Sequence, residues 1–280
     1  MKLRRPAVAG IFYPSNYDEL KASIEESFLH ELGPRKKPPS NEIISEKVVL
    51  ISPHAGYMYS GPVAAHGYYA CSYLKSVELV VIAGPNHHGI GSGVATVREG
   101  VWETPLGRVE VDANLAKRLV ELSGIVDFDD SAHMREHSIE VQIPFLQYIF
   151  HEKIRILPIS MMLQDMRTAI DVGKAIANCV KDKKFLLIAS SDFTHYEPQE
   201  VALRKDSEAI KAILQMDVPK LYNVIENLDV TMCGYGPVAA IITAAKELNI
   251  TNGKLLKYAT SGDITGDYNS VVGYASILFQ

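Results

Sequence analysis

Three apolar segments of the sequence are each followed closely by residues that can bind a metal ion. The segments end near residues 52, 84 and 190, and four of the nine histidines follow them. The metal-binding residues at these positions are His54, His87, His88, Asp192 and His195. Ligands of open α/β sheets bind beyond the carboxyl ends of the strands, so the pattern predicts one shared site.

Imidazole and carboxylate groups together indicate the kind of metal. Imidazole binds Fe, Cu, Zn and Ni, and two histidines with one carboxylate form a common non-haem iron site. Of the adjacent pair His87 and His88, only one is expected to face the metal, because neighbours in an extended segment point to opposite sides. A single loop histidine is more often polar surface, but three similar strand ends weigh against that alternative. His30, His66 and His151 lack such a setting and are interpreted as structural or surface residues.

Cysteine is a further candidate ligand. Cys233 lies in a glycine-rich turn, TMCGYGP, directly before a predicted helix. At that position we expect a lowered pKa and a thiolate that binds metal. Cys71 and Cys179 lie inside helical patterns and are expected to be core residues. The candidate metal ligands are therefore His54, one of His87 and His88, Asp192, His195 and Cys233.

The segment 129–140 is dense in acidic residues and histidines. His137 and Glu140 are three residues apart, so a helix over 136–150 would place them on one face. They are candidates for orienting a substrate. The alternative is an acidic helix start that complements the helix dipole, and for Glu136 the two interpretations remain equally open.

The elements that must position these residues follow from hydrophobic patterning. Continuous apolar runs separated by helical patterns predict a mostly parallel or mixed α/β sheet with helices on both faces. A segment without this alternation, 94–112, is predicted to be an inserted hairpin around Pro105 and Gly107, and 33–42 an exposed loop. Predicted strands cover 47–52, 78–84, 154–160, 184–190, 257–262 and 270–279, and predicted helices cover 16–31, 62–74, 113–123, 136–150 and 165–181.

One short sequence occurs twice: Gly-Pro-Val-Ala-Ala at 61–65 and again at 236–240. Proline suits the first position of a helix, and alanines allow close packing behind it. The repeat indicates either two ordinary helix starts or two helix N-termini that face a common pocket with their free N–H groups.

Composition limits the class of protein. The chain has 280 residues, of which 47% are hydrophobic and 22% charged, with a net charge of −5, so a basic nucleic-acid surface is not expected. Three cysteines without a CxxC pair favour a reducing cytoplasm. No apolar run approaches the roughly 18–20 residues of a membrane span, and the first residues do not form a signal peptide. We predict one domain over 1–280.

Several motifs together resemble the Memo family, named for a mediator of ErbB2-driven cell motility, whose microbial members are called AmmeMemoRadiSam system protein B. The resemblance runs from residue 4 to about 276. Its motifs are PAVAGIFYP, SPHAGYMYSGPVAAH, GPNHHG, TPLG, EHSIEVQIPFLQ, SSDFTHY and CGYGPVA. The order of SPHAGY, PNHHG and EHSIE is highly specific to the family.

This resemblance implies a fold similar to the LigB-like class III extradiol dioxygenases, which open catechol-type rings with Fe(II). By the same resemblance, His54 and His87 match the two histidine ligands, and Cys233 stands where the dioxygenases have a glutamate. Asp192 matches a further metal-site residue, and His195 matches the acid/base histidine. One ion is implied, Fe(II) favoured, with Cu or Zn as alternatives. AMMECR1-like and radical SAM proteins are the implied partners.

Two functions follow from these residues. The first is a metal-dependent redox enzyme or oxygenase, with His195 moving protons and with His137 and Glu140 either orienting substrate or supporting the metal ligands. The second is a non-catalytic module that captures a peptide or partner protein in a former active-site cleft. The retained His195 favours the enzyme, and the loss of the glutamate ligand disfavours it. Fold alone does not decide between them.

Overall fold

A computed structural model describes residues 2–39, 47–74, 77, 79–150 and 154–280. His151 and the last three residues of the predicted loop over 33–42 lie outside the described ranges. None of the described helices is long and apolar enough to cross a membrane.

The described chain is built around one mixed β-sheet. Four parallel strands form its centre, in the order β8, β3, β9, β2. The strands are β1 (Leu3–Arg4), β2 (Lys47–Ser52), β3 (Leu79–Pro85), β4 (Val94–Thr96), β5 (Val101–Thr104), β6 (Gly107–Val111), β7 (Asp127–Phe128), β8 (Arg155–Met161), β9 (Phe185–Ser190), β10 (His195–Glu197), β11 (Gly253–Thr260) and β12 (Val271–Phe279).

Antiparallel strands complete the sheet on both sides of this centre. β12 pairs with β2, β10 and β11, while β5 and β6 form a hairpin whose second strand pairs in parallel with β8. The predicted hairpin within 94–112 is therefore present, but it belongs to the main sheet. β4, which precedes the hairpin within 94–112, pairs with β8 and β7, and β5 also pairs with the N-terminal β1.

Helices cover the sheet. They are α1 (Tyr17–Leu29), α2 (Tyr57–Cys71), α3 (Ala113–Ser123), α4 (Ser131–Met134), α5 (Ile143–Phe150), α6 (Met166–Val180), α7 (Gln199–Leu214), α8 (Val218–Leu228), α9 (Tyr235–Glu247) and α10 (Gly262–Thr265). Side chains of β2 alternate between two cores: Val49 and Ile51 pack with α3, α6 and α9, and Val48 and Leu50 pack with α1, α2 and α5. This confirms the predicted α/β class, with a mixed central sheet covered on both faces.

Two predicted helices begin at different residues from those expected. The helix predicted over 136–150 is helical only from Ile143, after a 3₁₀ turn at Glu140–Gln142. Pro62 does not start its helix, because α2 begins five residues earlier at Tyr57 and contains the proline. As the sixth residue of the helix it lies beyond the first turn, so it removes the hydrogen bond that residue 62 would otherwise donate to the Met58 carbonyl.

Candidate metal centre

Three neighbouring parallel strands bring the predicted ligands to one edge of the sheet. β9 lies between β2 and β3, with Ser52 opposite Ser190 and Ala83 opposite Ala189. His54, His87 and Asp192 each lie two residues beyond the end of their strand. Strands that end at the same level therefore place three side chains, far apart in sequence, beside one another.

Three donor atoms are close enough to share one metal ion. One ligand atom each from His54, His87 and Cys233 lies within 4.8 Å of the other two. The thiol Sγ of Cys233 is 3.2 Å from Nε2 of His54. Ligands at metal distances of about 2.3 and 2.1 Å in tetrahedral geometry would be about 3.6 Å apart. Two imidazoles and a thiol at these separations fit a metal ion.

Hydrogen bonds fix which nitrogen of His54 faces the thiol. The Ser190 hydroxyl donates to the Ser138 carbonyl at 2.7 Å, so it accepts from Nδ1 of His54 at 2.8 Å. The proton of His54 is therefore on Nδ1, and Nε2 presents a free lone pair to Cys233. Burial is the main cause that holds the pKa of His54 well below its usual range, which keeps the ring neutral.

Gln142 supports the same arrangement from the other side of Ser190. Its amide nitrogen donates to the Ser190 hydroxyl at 2.8 Å and to the Pro53 carbonyl at 2.9 Å. Its amide oxygen accepts from the Tyr68 hydroxyl. All these groups are buried, so each bond is made within the protein and sets the direction of the next.

Glu136 holds His87 in one orientation, as Ser190 does for His54. One carboxylate oxygen accepts from Nδ1 of His87 at 2.9 Å, and the other accepts from its backbone N–H at 2.6 Å. Burial alone would raise the pKa of Glu136, but the hydrogen bond and charge of His87 hold it well below its usual range. A carboxylate on the remote nitrogen of a ligand histidine fixes its orientation and increases its basicity. Nε2 of His87 is thereby directed away from the carboxylate.

His137 stacks against this pair of histidines. Its ring centroid is 4.5 Å from that of His87, with 20° between the planes, and 5.4 Å from that of His54. His87, Glu136 and His137 also form a group whose ligand atoms lie within 4.8 Å of one another. Burial lowers the pKa of His137 to about 4, so its ring is neutral near pH 7. It therefore lies at the centre, beside the candidate ligands.

The expectation of a lowered cysteine pKa is wrong for the metal-free chain. Burial and the neighbouring Asp192 carboxylate raise the pKa of the Cys233 thiol. The backbone N–H of Asp192 donates to Sγ at 3.3 Å, but this bond does not offset burial. The thiol proton can donate to the free Nε2 of His54, and binding of a thiophilic metal would displace it.

Asp192 is buried beside the donors but is not among the three grouped atoms. Its Oδ1 accepts from the backbone N–H of His54 at 2.8 Å. Burial raises its pKa to about 6, and the hydrogen bond from His54 acts in the opposite direction. In this arrangement Asp192 fixes the loop that carries His54.

His195 is half-buried at the margin of the centre. Its Nδ1 lies 2.8 Å from the Thr231 carbonyl, to which it donates, so Nε2 carries the lone pair. His88 turns away and bonds the Arg135 carbonyl at 2.9 Å, which confirms that one member of the pair faces the centre.

Glu140 is not placed where the sequence predicted. It does not share a helix face with His137, because His137 precedes the 3₁₀ turn. Its carboxylate accepts from the side chains of Arg4 and Tyr13 and from the backbone N–H groups of Ala7 and Val8. These bonds fasten the N-terminal segment and direct the carboxylate away from the metal donors, so the assignment of Glu140 to substrate is corrected.

Sequence reasoning left Ser190 and Gln142 without a function at the site and did not decide between two interpretations of Glu136. Ser190 ends an apolar strand, and Gln142 lies in an apolar helical pattern; neither position distinguishes a hydrogen-bonding residue from an ordinary one. Glu136 offered a better signal, a carboxylate directly before a candidate site histidine. His30 and His66 both bond the backbone of Leu32, as expected of structural residues.

Comparison with known proteins identifies relatives along nearly the whole chain. A family model described as Memo-like protein matches residues 4–278. A MEMO1 family protein of Methanopyrus kandleri is 49% identical over 279 residues, covering 99% of each chain. Another, from Methanocaldococcus jannaschii, is 50% identical over 289 residues, covering 100% of this chain and 99% of its own.

A solved structure shares the fold. The crystal structure of an uncharacterized protein from Escherichia coli K12 superimposes with a TM-score of 0.58 and 16% sequence identity. It covers 83% of this chain and 99% of its own. At this identity the likeness concerns the architecture alone.

Proposed function

Because the chain belongs to the Memo-like protein family, we propose that it is a metal-dependent redox enzyme or oxygenase whose ion is held by His54, His87 and Cys233. The observation that carries the proposal is the 3.2 Å approach of the Cys233 thiol to the unprotonated Nε2 of His54. A thiolate with two imidazoles suits Fe, Cu and Zn over Mg or Ca. Fe(II) is favoured by the resemblance to the extradiol dioxygenases.

The bound metal would supply redox and Lewis-acid chemistry, and the chain's own residues would do the rest. Ser190 and Glu136 orient the two histidines through the nitrogens that do not face the metal. His195 would move a proton at its Nε2, since Nδ1 is committed to Thr231. His137, neutral and stacked on His87, would contact the substrate.

A metal measurement tests the ligand set. We expect Cys233→Ser to reduce bound Fe, Cu or Zn strongly and to leave weak Mg²⁺ binding unchanged, because the thiolate selects softer ions. Cys179→Ser is the matched control, since Cys179 is a buried core thiol on α6. The measurement is elemental analysis of protein purified and reconstituted anaerobically. Equal thiophilic metal content in wild type and Cys233→Ser would contradict the assignment.

A second experiment concerns His195. If it moves a proton, His195→Gln should keep the metal and the fold but lower turnover by about 10²–10⁴-fold. Turnover is followed as O₂ consumption by the iron-loaded protein with catechols and small thiols. His88→Gln, an exposed histidine bonded to a backbone carbonyl, is the control. Equal O₂ consumption by wild type and His195→Gln would contradict a proton-transfer function.

One observation favours the second candidate, a binding module for a peptide or partner protein. Large apolar side chains are exposed next to residues of the centre: Ile11 is 77% exposed beside Phe12, which contacts His137, and Tyr196 is 78% exposed beside His195. Exposed apolar surface near a cleft is typical of interaction sites. AMMECR1-like and radical SAM proteins are the proposed partners, in a cytoplasmic setting that keeps the three cysteines as thiols. Retention of either partner by the metal-free wild type would support this candidate.

A further inference from the structure

A cavity lies away from the metal donors. Its volume is about 580 Å³, within the range of small-molecule sites. It is formed where the N-terminal segment crosses the β5 end of the sheet, and none of the candidate metal ligands lines it. Its walls include Leu3, Pro6, Val97, Trp102, His133 and Met134.

His133 gives the cavity a specific chemical requirement. The residue is 1% exposed, and its Nδ1 is a buried atom without a hydrogen-bond partner in the described structure. Nε2 lies 3.2 Å from the Ala95 carbonyl, to which it must donate. Burial and the nearby Arg4 lower the pKa of His133 to about 4, so the ring is neutral and Nδ1 is an acceptor. An acceptor without a donor is rare in a folded interior.

The charges around the cavity cancel. Arg4 is paired with Glu140 and lies 4.0 Å from the centre of the Trp102 ring, and Lys2 is paired with Asp130. Two charged residues of the lining make no ion pair within the described part of the chain: Arg5, which is positive, and Glu99, which is negative. The lining therefore offers apolar contact and one buried acceptor, without a net charge to select an ionic ligand.

We infer that this cavity binds a small uncharged amphiphile, a molecule with an apolar or aromatic body and one O–H or N–H that donates to Nδ1 of His133. The apolar body packs against Leu3, Val97 and Trp102. The donor satisfies the imidazole nitrogen that the protein leaves unpaired. The site is independent of the metal centre, so binding does not require a metal.

The chain contains its own reporter, because Trp102 is its one tryptophan and lines the cavity. The probes are para-propylphenol, which has the donor, and para-propylanisole, in which a methyl group blocks it. We expect both to change Trp102 fluorescence saturably and the phenol to bind about 2- to 10-fold more tightly, the usual value of one net hydrogen bond. The measurement is made on chelator-treated full-length protein.

His133→Phe keeps an aromatic ring but removes the acceptor, and should reduce the phenol-to-ether ratio of affinities to about one. His66→Phe is the matched control, since Nε2 of His66 also bonds a backbone carbonyl but lies outside the cavity. In His66→Phe the phenol-to-ether ratio of affinities should remain that of wild type. If His133→Phe fails to fold, the wild-type comparison of the two probes still decides the question.

Three results would overturn the inference. One is equal binding of phenol and ether by wild type. Another is the absence of a saturable Trp102 response to either probe. The third is binding of the anionic para-hydroxyphenylacetate more than about tenfold tighter than para-propylphenol, which would show a charged ligand.

Discussion

At the scale of single residues, the centre depends on which ring nitrogen of each histidine already makes a hydrogen bond within the protein. His54 and His87 each use Nδ1 on a buried partner, a serine hydroxyl and a carboxylate respectively. Each therefore presents Nε2 toward the shared space. A histidine held in one tautomer needs no reorganisation to bind a metal, so the centre is preorganised by residues that never touch the ion.

Two buried glutamates four residues apart provide a matched pair for testing this. Glu136→Gln should weaken metal affinity about 10–100-fold, because the amide is a poorer acceptor for His87. Glu140→Gln should leave the affinity of the folded protein unchanged, since Glu140 contacts the N-terminal segment. It should instead lower the free energy of unfolding by about 3–5 kcal/mol, the cost of breaking a buried ion pair. Metal titration and urea unfolding measure the two effects.

One result for the two glutamate variants would contradict this prediction. If Glu140→Gln weakens metal binding as much as Glu136→Gln, the separation between a metal-supporting and a fold-supporting glutamate is wrong. Arg4→Lys offers an independent check on stability alone, because it keeps the charge opposite Glu140 but loses the bond from the Arg4 guanidinium to the Glu136 carbonyl.

Buried neutral histidines make the stability of the metal-free protein depend on pH. The pKa values of His133 and His137 are lowered to about 4, whereas an unfolded histidine titrates near about 6.5. Between these values the unfolded chain holds more protons, so the free energy of unfolding falls as pH falls from about 6.5 to 4. The two contributions are fully present well above about pH 6.5, and each amounts to at most about 3.4 kcal/mol.

Over part of this pH range, Asp192 has the opposite effect on the free energy of unfolding. Its pKa is raised to about 6, so the folded chain holds a proton there that the unfolded chain loses above about 3.9. Urea unfolding of chelator-treated protein at about pH 7.5 and 5 should still show lower stability at pH 5. His137→Gln should reduce the difference, and His88→Gln, at an exposed histidine, should not. A stability that rises on acidification would contradict the neutral state of the buried histidines.

At the scale of elements, glycine and alanine set how closely the helices approach. Gly173 of α6 lies against α9, where an added Cβ would come within 2.4 Å of the Ala240 carbonyl oxygen. The second Gly-Pro-Val-Ala-Ala segment is therefore part of a tight helix contact, as its alanines suggested. Its helix, α9, begins two residues after Cys233, so the position of this contact also fixes the thiol.

Gly173→Ala should lower the free energy of unfolding by about 1–3 kcal/mol, the usual cost of overpacking a close contact. Gly124→Ala is a control of a different kind. Gly124 has a φ of 62° at the end of α3 with no atom within 4 Å of an added Cβ, so only backbone strain of about 1–2 kcal/mol applies. The two variants should differ in metal affinity. Only Gly173→Ala should weaken it, because the added methyl group would move α9. Equal metal affinities in both would contradict that coupling.

The elements around the site were predictable to the extent that their apolar patterns were continuous. The four central strands and α3 follow their predicted ranges closely, because strands buried on both faces are apolar throughout. The start of α2 was missed, since a proline usually marks a first turn and here lies inside the helix. The contacts of Ser190, Gln142 and Glu136 could not be predicted, because they join residues that only the sheet brings together.

At the scale of the whole molecule, one sheet carries both cores, the metal donors and the Trp102 cavity. The metal donors lie at the carboxyl ends of β2 and β3 and at the start of α9, while the Trp102 cavity lies where β1 pairs with β5. Arg4 lies between them: it donates to the carbonyl of Glu136 and contacts the Trp102 ring. The interpretation of the chain as one domain remains a prediction that this shared sheet supports.

The N-terminal segment has a consequence for how the protein is made. Arg4, Ala7, Val8 and Tyr13 bond a carboxylate that lies 127 to 136 residues later in the chain. A ribosome that adds about 5–20 residues per second needs on the order of ten seconds to reach it. During that interval the first segment to emerge has no partner for its buried arginine. Synthesis rate and chaperone supply should therefore govern the yield of this chain more than that of a protein whose N-terminus pairs locally.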